Sequence, residues 1–286
     1  MEIGLIGLGL MGQAMAERLL GAGHRVCGYD LRPEACAEAR ALGVEILEDV
    51  RDAGPRCSFI LLSLLNSDNR RELLWGPQRL TETLRPGTIL LDSTTGRPED
   101  IEEDHARLAA QGVRLVDICL SGSSQVLREG RSLALIGGRR DEAPYAELLA
   151  AFSKTQYYFD APGQGNRVKL IVNLVFGLNR LVLAEALGLA ERAGFDLGLI
   201  LEILKAGETY SVAMDTKGPK MISGTYAPAV ARLGQHAKDV HLILDYARRV
   251  GARVPVSEVH AQLIDDLLRG GWGELDNAAI FKAYAS

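Results

Sequence analysis

Cysteine, aromatic side chains and excess positive charge are all scarce in this chain. Its four cysteines, Cys27, Cys36, Cys57 and Cys119, have neither CxxC nor any other metal-ligand spacing. That excludes a zinc ribbon and a disulfide-framed fold, and it fits thiols kept reduced in the cytoplasm. No metal site is expected. Lys and Arg number 32 against 37 Asp and Glu, a net charge of -5. Such a balance offers no general electrostatic attraction for nucleic acid or a membrane surface. An uninterrupted apolar run of membrane length is also missing. The longest apolar stretch, Val168 to Ala190, carries Lys169, Asn173, Asn179, Arg180 and Glu185, which a bilayer would penalise, so it is expected to be a buried helix of a soluble fold. A first strand starting at Glu2 is expected to leave no room for a signal peptide.

What is present is ordinary globular composition at a length that suggests two domains. The first half alternates strand-like and helical runs. Strands are predicted at Ile3–Ile6, Arg25–Tyr29, Ser58–Leu64, Thr88–Asp92, Val113–Ile118 and Ser132–Ile136. Helices are predicted at Met11–Leu20, Pro33–Leu42, Asn69–Leu84 and from Pro98 to Gln111. That alternation predicts a Rossmann-type doubly wound parallel sheet. From about Gly165 onward the periodicity is almost wholly helical: Asn166–Ala193, Leu197–Lys205, Ala229–Val250, Ser257–Arg269 and Asp276–Tyr284. The expected organisation is an α/β domain over 1–162 and an all-α domain over 163–286, the second built on a long interdomain helix.

Between the first strand and the first helix lies Gly7-Leu8-Gly9-Leu10-Met11-Gly12, a GxGxxG loop. The first glycine permits the tight turn, the second clears room for a pyrophosphate, and the third lets helix and strand pack. The helix N-terminus then offers N–H groups to the phosphates. Asp30, 18 residues past Gly12 at the end of the second strand, is placed to accept both ribose hydroxyls of adenosine. This favours NAD, because a carboxylate repels a 2′-phosphate. Arg32 is read as a solvated loop charge; pairing with the 2′-phosphate of NADP is its alternative role.

With Met11, Met15 and Ala16 added, "IGLGLMGQAMAERL" resembles the N-terminal signature of the β-hydroxyacid dehydrogenase family, which includes 3-hydroxyisobutyrate dehydrogenase and tartronate semialdehyde reductase. Further blocks resemble that family in order along nearly the whole chain. "SLLNS" implies that Leu64 and Leu65 line the cofactor, with Leu65 where the family often has proline. "LDSTTGRP" implies Thr95 near the nicotinamide end and Pro98 at a helix start; capping that helix is the alternative for Thr95. "DICLSGSS" implies that Ser121, Gly122 and Ser123 hold a substrate carboxylate, with Cys119 and Ser123 departing from the family's proline and glycine. "GQGNRVKLIVN" implies Lys169 as catalytic lysine. Asn173, at i+4 on the same helix face, would orient the amine or hold the substrate oxygen, while Val172 stands where a second asparagine is usual. "HAKDVHLIL" implies that Lys238 reaches cofactor or substrate while Asp239 fixes local geometry. A family phenylalanine upstream is missing; Val230 and Ala231 occupy its region.

The chemistry implied is hydride transfer between NAD, or NADP, and a small 3-hydroxy acid or its semialdehyde, with Lys169 as general acid/base. An amine with an ordinary pKa of about 10.4 must be lowered to serve near neutrality. Apolar neighbours, and a first-turn position if the helix starts near Asn166, would push it down. Arg180, eleven residues beyond Lys169, is read as an interhelical ion-pair partner, with recognition of a second acidic group as the alternative. His236 and His241 lack the context of metal ligands or catalytic histidines. Alternative readings are an imine reductase, against which Lys169 counts, a 6-phosphogluconate-type decarboxylase, for which no basic cluster is positioned, and a non-catalytic cofactor-binding relative. The expected partners are a small carboxylic acid and further copies of the chain, as homodimer or homotetramer.

Overall fold

The computed structural model describes residues 1–285. Its chain divides into two compact units, Met1–Lys169 and Leu170–Ser286. The first is built on one sheet: β1 (Glu2–Ile6), β2 (Arg25–Tyr29), β3 (Glu45–Ile46), β4 (Phe59–Leu62), β5 (Ile89–Asp92), β6 (Arg114–Ser121), β7 (Ser132–Gly137) and β8 (Ser153–Phe159). The spatial order is β3-β2-β1-β4-β5-β6-β7-β8. β1 therefore lies between β2 and β4, both parallel to it. The direction of winding reverses there, and ligands of doubly wound sheets bind at the carboxyl ends of such strands.

Both faces of the sheet are covered, which explains why its strands read as continuous apolar runs. Alternate side chains serve opposite cores. Leu5, Leu61, Leu91 and Ile118 pack with Ala14, Met15 and Leu19 of the helix Leu10–Gly21. Ile6, Ile60, Leu62 and Leu90 pack with Leu73 and Leu74 of the helix Ser67–Trp75 and with Ile101 and Leu108 of the helix Pro98–Ala109.

Three local expectations are corrected. β7 runs antiparallel to β6, because the connection 122–131 is too short for a crossover to a parallel strand. β8 pairs in parallel with β7, although its sequence, SKTQYYF, has only one buried residue and gives no apolar run. The helix expected over Asn69–Leu84 stops at Trp75, and a 3₁₀ turn follows at Leu80–Glu82. Pro77 explains the stop, since the residue before a proline avoids helical geometry.

The long helix Gln164–Arg192 spans the division, about 43 Å at 1.5 Å per residue. In the second unit its Leu181, Ala184 and Leu187 pack against Leu233, Ala237 and Val240 of the helix Leu233–Val250, Ile264 of the helix Pro255–Arg269, and Ala278–Phe281. By length and composition this helix could cross a bilayer. It is not buried all round as expected: Ile171, Val175, Val182 and Leu189 are exposed by more than half. The terminal segment Asn277–Ala283 is 3₁₀ rather than α.

A polar cluster lies inside this helical unit. Arg180 is 1% exposed, and its Nε and Nη2 find no hydrogen-bond partner among the described residues. The expected interhelical ion pair is absent among those residues. Its guanidinium lies 5.9 Å from the Phe176 ring centroid, in the field of Asp276 and Asp239, while burial pulls its pKa down to about 10. The imidazoles of His236 and His260 sit 5.1 Å apart. Burial, then the Arg180 charge, holds His260 down to about 3, and burial holds His236 well below its ordinary value.

Both histidines are thus neutral when folded, whereas the unfolded chain protonates them below about pH 6.5. Their contribution is complete above that pH and is lost as pH falls toward the folded values. Unfolding free energy should fall by about 1.4 kcal/mol per pH unit per histidine between roughly pH 6 and 4. His260→Leu should flatten that slope by about one proton in denaturant titrations. An unchanged slope would contradict the assignment.

Candidate functional site

The opening loop shows why three glycines are there. Gly7 has φ +95, and a Cβ on it would lie 2.2 Å from the Ser63 carbonyl oxygen. A Cβ on Gly12 would lie 2.0 Å from the Gly7 oxygen. Those two glycines are required by the chain's own packing. Gly9 is different: a Cβ there would meet only the tip of Arg32, at 3.4 Å. Its bare backbone caps the helix Leu10–Gly21, whose first turn carries no acidic residue. The N–H groups of that turn have no intrahelical partner. The free N–H groups of a helix N-terminus suit the negative charge of a pyrophosphate. Within the loop Leu8 is buried in the core, Met11 is half-buried against it, and Leu10 is exposed.

Asp30 follows the end of β2 and faces this loop. Its Oδ2 accepts from Leu8 N at 2.8 Å, and its Oδ1 accepts from Arg32 N at 2.9 Å. The Arg32 guanidinium grips both oxygens, each at 3.1 Å. Arg32 is a solvent-exposed loop charge, as expected, and is in addition a partner of Asp30. Burial works to raise the Asp30 carboxyl, but the hydrogen bonds from Arg32 and Leu8 prevail and hold it below the usual value.

The loop after β5 is pinned at almost every residue. Ser93 Oγ donates to Leu62 O at 2.8 Å, and Thr94 N donates to Asp92 Oδ1 at 2.9 Å. Thr94 Oγ1 accepts from Leu64 N at 3.3 Å. Gly96 N donates to Asn166 Oδ1, and Arg97 N to Ser67 Oγ, both at 2.9 Å. Thr95 sits half-buried at the centre of this arch. Arg97 is the N-cap residue of the helix beginning at Pro98. Leu64 packs against the core, whereas Leu65 is exposed. Beneath the loop, Arg70, Asp92 and Asp104 are wholly buried. Arg70 Nη1 donates to Asp92 Oδ2 at 2.9 Å, its Nε donates to Asp104 Oδ2 at 3.1 Å, and Trp75 Nε1 donates to Asp104 Oδ1 at 3.0 Å. Removing one member would strand buried charge at a cost of about 3–5 kcal/mol. Nothing local in "DNRRELL" separates Arg70 from a solvated arginine, so sequence reasoning missed this support.

β6 ends at Ser121, and Gly122 turns the chain at φ +142. Ser123 Oγ accepts from Val126 N at 3.3 Å and caps the helix Ser124–Arg128, which leaves its hydroxyl proton to donate. Lys169 comes to the same strand end: its Nζ donates to Leu120 O at 2.7 Å. The long helix starts at Gln164, so Lys169 lies in its second turn and not, as expected, in its first. The helix-dipole contribution is correspondingly weaker. In the second unit, Asn173 Nδ2 donates to Asp239 Oδ2 at 3.0 Å, and Lys238 Nζ lies 3.1 Å from Asp239 Oδ1. That pair is largely buried, at 22% and 16% side-chain exposure, so it is not a surface salt bridge. His241 pairs with Asp265 at 2.9 Å. No His, Cys, Asp or Glu group among the described residues is arranged to hold a metal ion.

Comparison with known proteins decides the family. Residues 2–159 match the NAD-binding domain of 6-phosphogluconate dehydrogenase, and residues 163–284 match the NAD-binding domain of NADP-dependent 3-hydroxyisobutyrate dehydrogenase. The chain belongs to the β-hydroxyacid dehydrogenase family. It is an NAD(P)-dependent oxidoreductase that transfers a hydride. An L-threonate dehydrogenase of Cupriavidus necator is 30% identical over 99% of this chain and 96% of its own. A 2-(hydroxymethyl)glutarate dehydrogenase of Eubacterium barkeri is 29% identical over 99% and 94%. The crystal structure of a 3-hydroxyisobutyrate dehydrogenase from Salmonella typhimurium superimposes with a TM-score of 0.91 at 25% identity, covering 98% of this chain and 99% of that one.

The glycines give a test that separates cofactor binding from folding. Gly9→Ala should weaken NADH binding about tenfold or more, about 1.4 kcal/mol, with the unfolding midpoint unchanged. Gly12→Ala should destabilise the fold by more than about 2 kcal/mol. Fluorescence titration and thermal melts read both; equal effects from the two variants would contradict the assignment. For cofactor choice, Asp30→Ala should lower kcat/KM for NAD about tenfold and move the NAD/NADP ratio toward NADP by releasing Arg32. A wild-type preference for NADP would overturn the role given to Asp30.

Proposed function

We propose that the enzyme oxidises a small 3-hydroxy acid, or reduces the matching semialdehyde, with Lys169 taking and returning the hydroxyl proton. The observation that carries this reading is the half-buried Lys169 amine held on Leu120 O at the end of β6. The names of the relatives, which include dehydrogenases of L-threonate and of 2-(hydroxymethyl)glutarate, support the substrate class. When bound, the nicotinamide supplies the hydride acceptor or donor. The chain supplies the rest. Leu120 O fixes one N–H of Lys169 and so sets where the nitrogen meets the substrate oxygen. The backbone N–H groups at 121–123 and the Ser123 hydroxyl receive the substrate carboxylate through charge-assisted hydrogen bonds. Asn173 commits its Nδ2 to Asp239, which leaves its Oδ1 for the role of holding the substrate oxygen. Lys238, anchored on Asp239, offers its charge to the cofactor or the acid. Leu8–Met11 and Asp30 hold the dinucleotide, with Leu64, Leu65 and Thr95 toward its reactive end and NAD the preferred form.

Self-association belongs to the same proposal. Val175, Val182 and Leu189 recur every seven residues along the long helix, Ile171 stands four before Val175, and all four are exposed. That exposed apolar stripe is suited to a second copy in a dimer or tetramer. The free cysteines suit the reducing cytoplasm.

A panel of 3-hydroxy acids with NAD, followed at the nicotinamide absorbance, tests the reading. At least one acid should be oxidised, and Lys169→Ala should lower its kcat by about 10³ or more while NADH affinity changes less than about threefold. Silence across the panel, or loss of NADH binding in that variant, would overturn it.

A further inference from the structure

Two buried side chains at the centre of the first unit are not used by this chemistry. Asp117 on β6 and Asn166 at the start of the long helix are both 0% exposed. Asp117 Oδ1 accepts from Gly163 N at 2.9 Å, and Oδ2 accepts from Asn166 N at 2.8 Å and from Asn166 Nδ2 at 3.4 Å. Every partner is a donor, so both oxygens serve as acceptors. The surrounding chain is cut back to admit them: a Cβ on Gly137 would lie 2.0 Å from Oδ1, and one on Gly165 would lie 2.9 Å from Oδ2. Asn166 then turns its Oδ1 to accept from Gly96 N at 2.9 Å, next to Thr95. Burial pushes the Asp117 carboxyl up, against the pull of its hydrogen bonds.

These contacts form a closed frame. Asp117 and Leu120 lie three residues apart on β6, and Asn166 and Lys169 lie three apart on the helix. One crossbar joins Asp117 to Asn166 N and the other joins Leu120 O to Lys169 Nζ. A third bond, from Gly96 N, fastens the arch carrying Thr95 to the same corner. We propose that Asp117 and Asn166 are positioning residues: Asp117 sets the helix start on β6, and Asn166 keeps the Lys169 amine in register with the Thr95 loop. The inference rests on the reading of Lys169 as the proton-transfer group. Neither residue touches substrate. Their effect is geometric, and a misplacement of about 1 Å at a reacting group costs on the order of 100-fold in rate.

The test is Asn166→Ala in the full-length enzyme. This variant keeps the backbone bond from Asn166 N to Asp117 and removes only the tie to Gly96 and the weak amide contact. Using the best acid of the panel above, kcat should fall about 10- to 100-fold. KM and NADH affinity should change less than about threefold, and the primary isotope effect from carbon-deuterated acid should rise as the chemical step becomes limiting. Independently of turnover, reductive methylation with formaldehyde and cyanoborohydride, read by mass spectrometry, should modify Lys169 faster than in wild type. Wild-type kcat together with a wild-type methylation rate would overturn the inference, as would a loss explained wholly by weaker NADH binding. Full turnover by Lys169→Ala would instead overturn the reading on which it rests.

Discussion

Attachment of the long helix to β6 is the constraint on which the site depends. A lysine side chain has four rotatable bonds and a strongly hydrated head, so left to itself it samples a wide volume. Here its nitrogen is held on the Leu120 carbonyl, while the turn that carries it is fixed by the buried Asp117 carboxylate. Both anchors belong to one strand, so errors in placing the strand move amine and helix together. The adjacent Ser121-Gly122 turn moves with them, so the Lys169 amine and the backbone N–H groups at 121–123 share one frame.

The cofactor side obeys the same economy. Gly7 and Gly12 are glycines because neighbouring backbone occupies the space of a side chain, whereas a side chain on Gly9 would meet only the tip of Arg32. The arch at 93–97 is ordered by donors and acceptors drawn from β4, β5 and two helices. Beneath it the Arg70–Asp92–Asp104 triad satisfies charges that would otherwise be costly to bury. The result is a loop with little freedom.

Much of this was legible in the residues themselves. GxGxxG announces its own geometry, since Gly7 and Gly12 leave no room for a side chain, and the continuous runs at β1, β4 and β5 report burial on two faces. Helix and strand existence held where patterns were long. What could not be read were partners remote in sequence. Arg70 meets an aspartate 34 residues away, and Asp117 meets Asn166 across 49. Edge strand β8 lacks an apolar run because few of its side chains face a core. A helix start earlier than the pattern suggested was enough to move Lys169 into the second turn and weaken one argument about its proton affinity. Arg180 shows the opposite error: it is read from the sequence as an ion-pair partner, while the folded unit leaves two of its nitrogens without hydrogen-bond partners among the described residues.

Chemical rescue addresses the central claim most directly. The Lys169→Ala enzyme, saturated with NAD and substrate, is titrated with small primary amines of graded basicity. If the missing amine is the proton-transfer group at the end of β6, turnover should return with amine concentration, and the rescued rates should follow amine basicity in a linear free-energy relation. A truncated enzyme that binds cofactor and substrate yet gains nothing from any amine, or that turns over fully without one, would contradict the account.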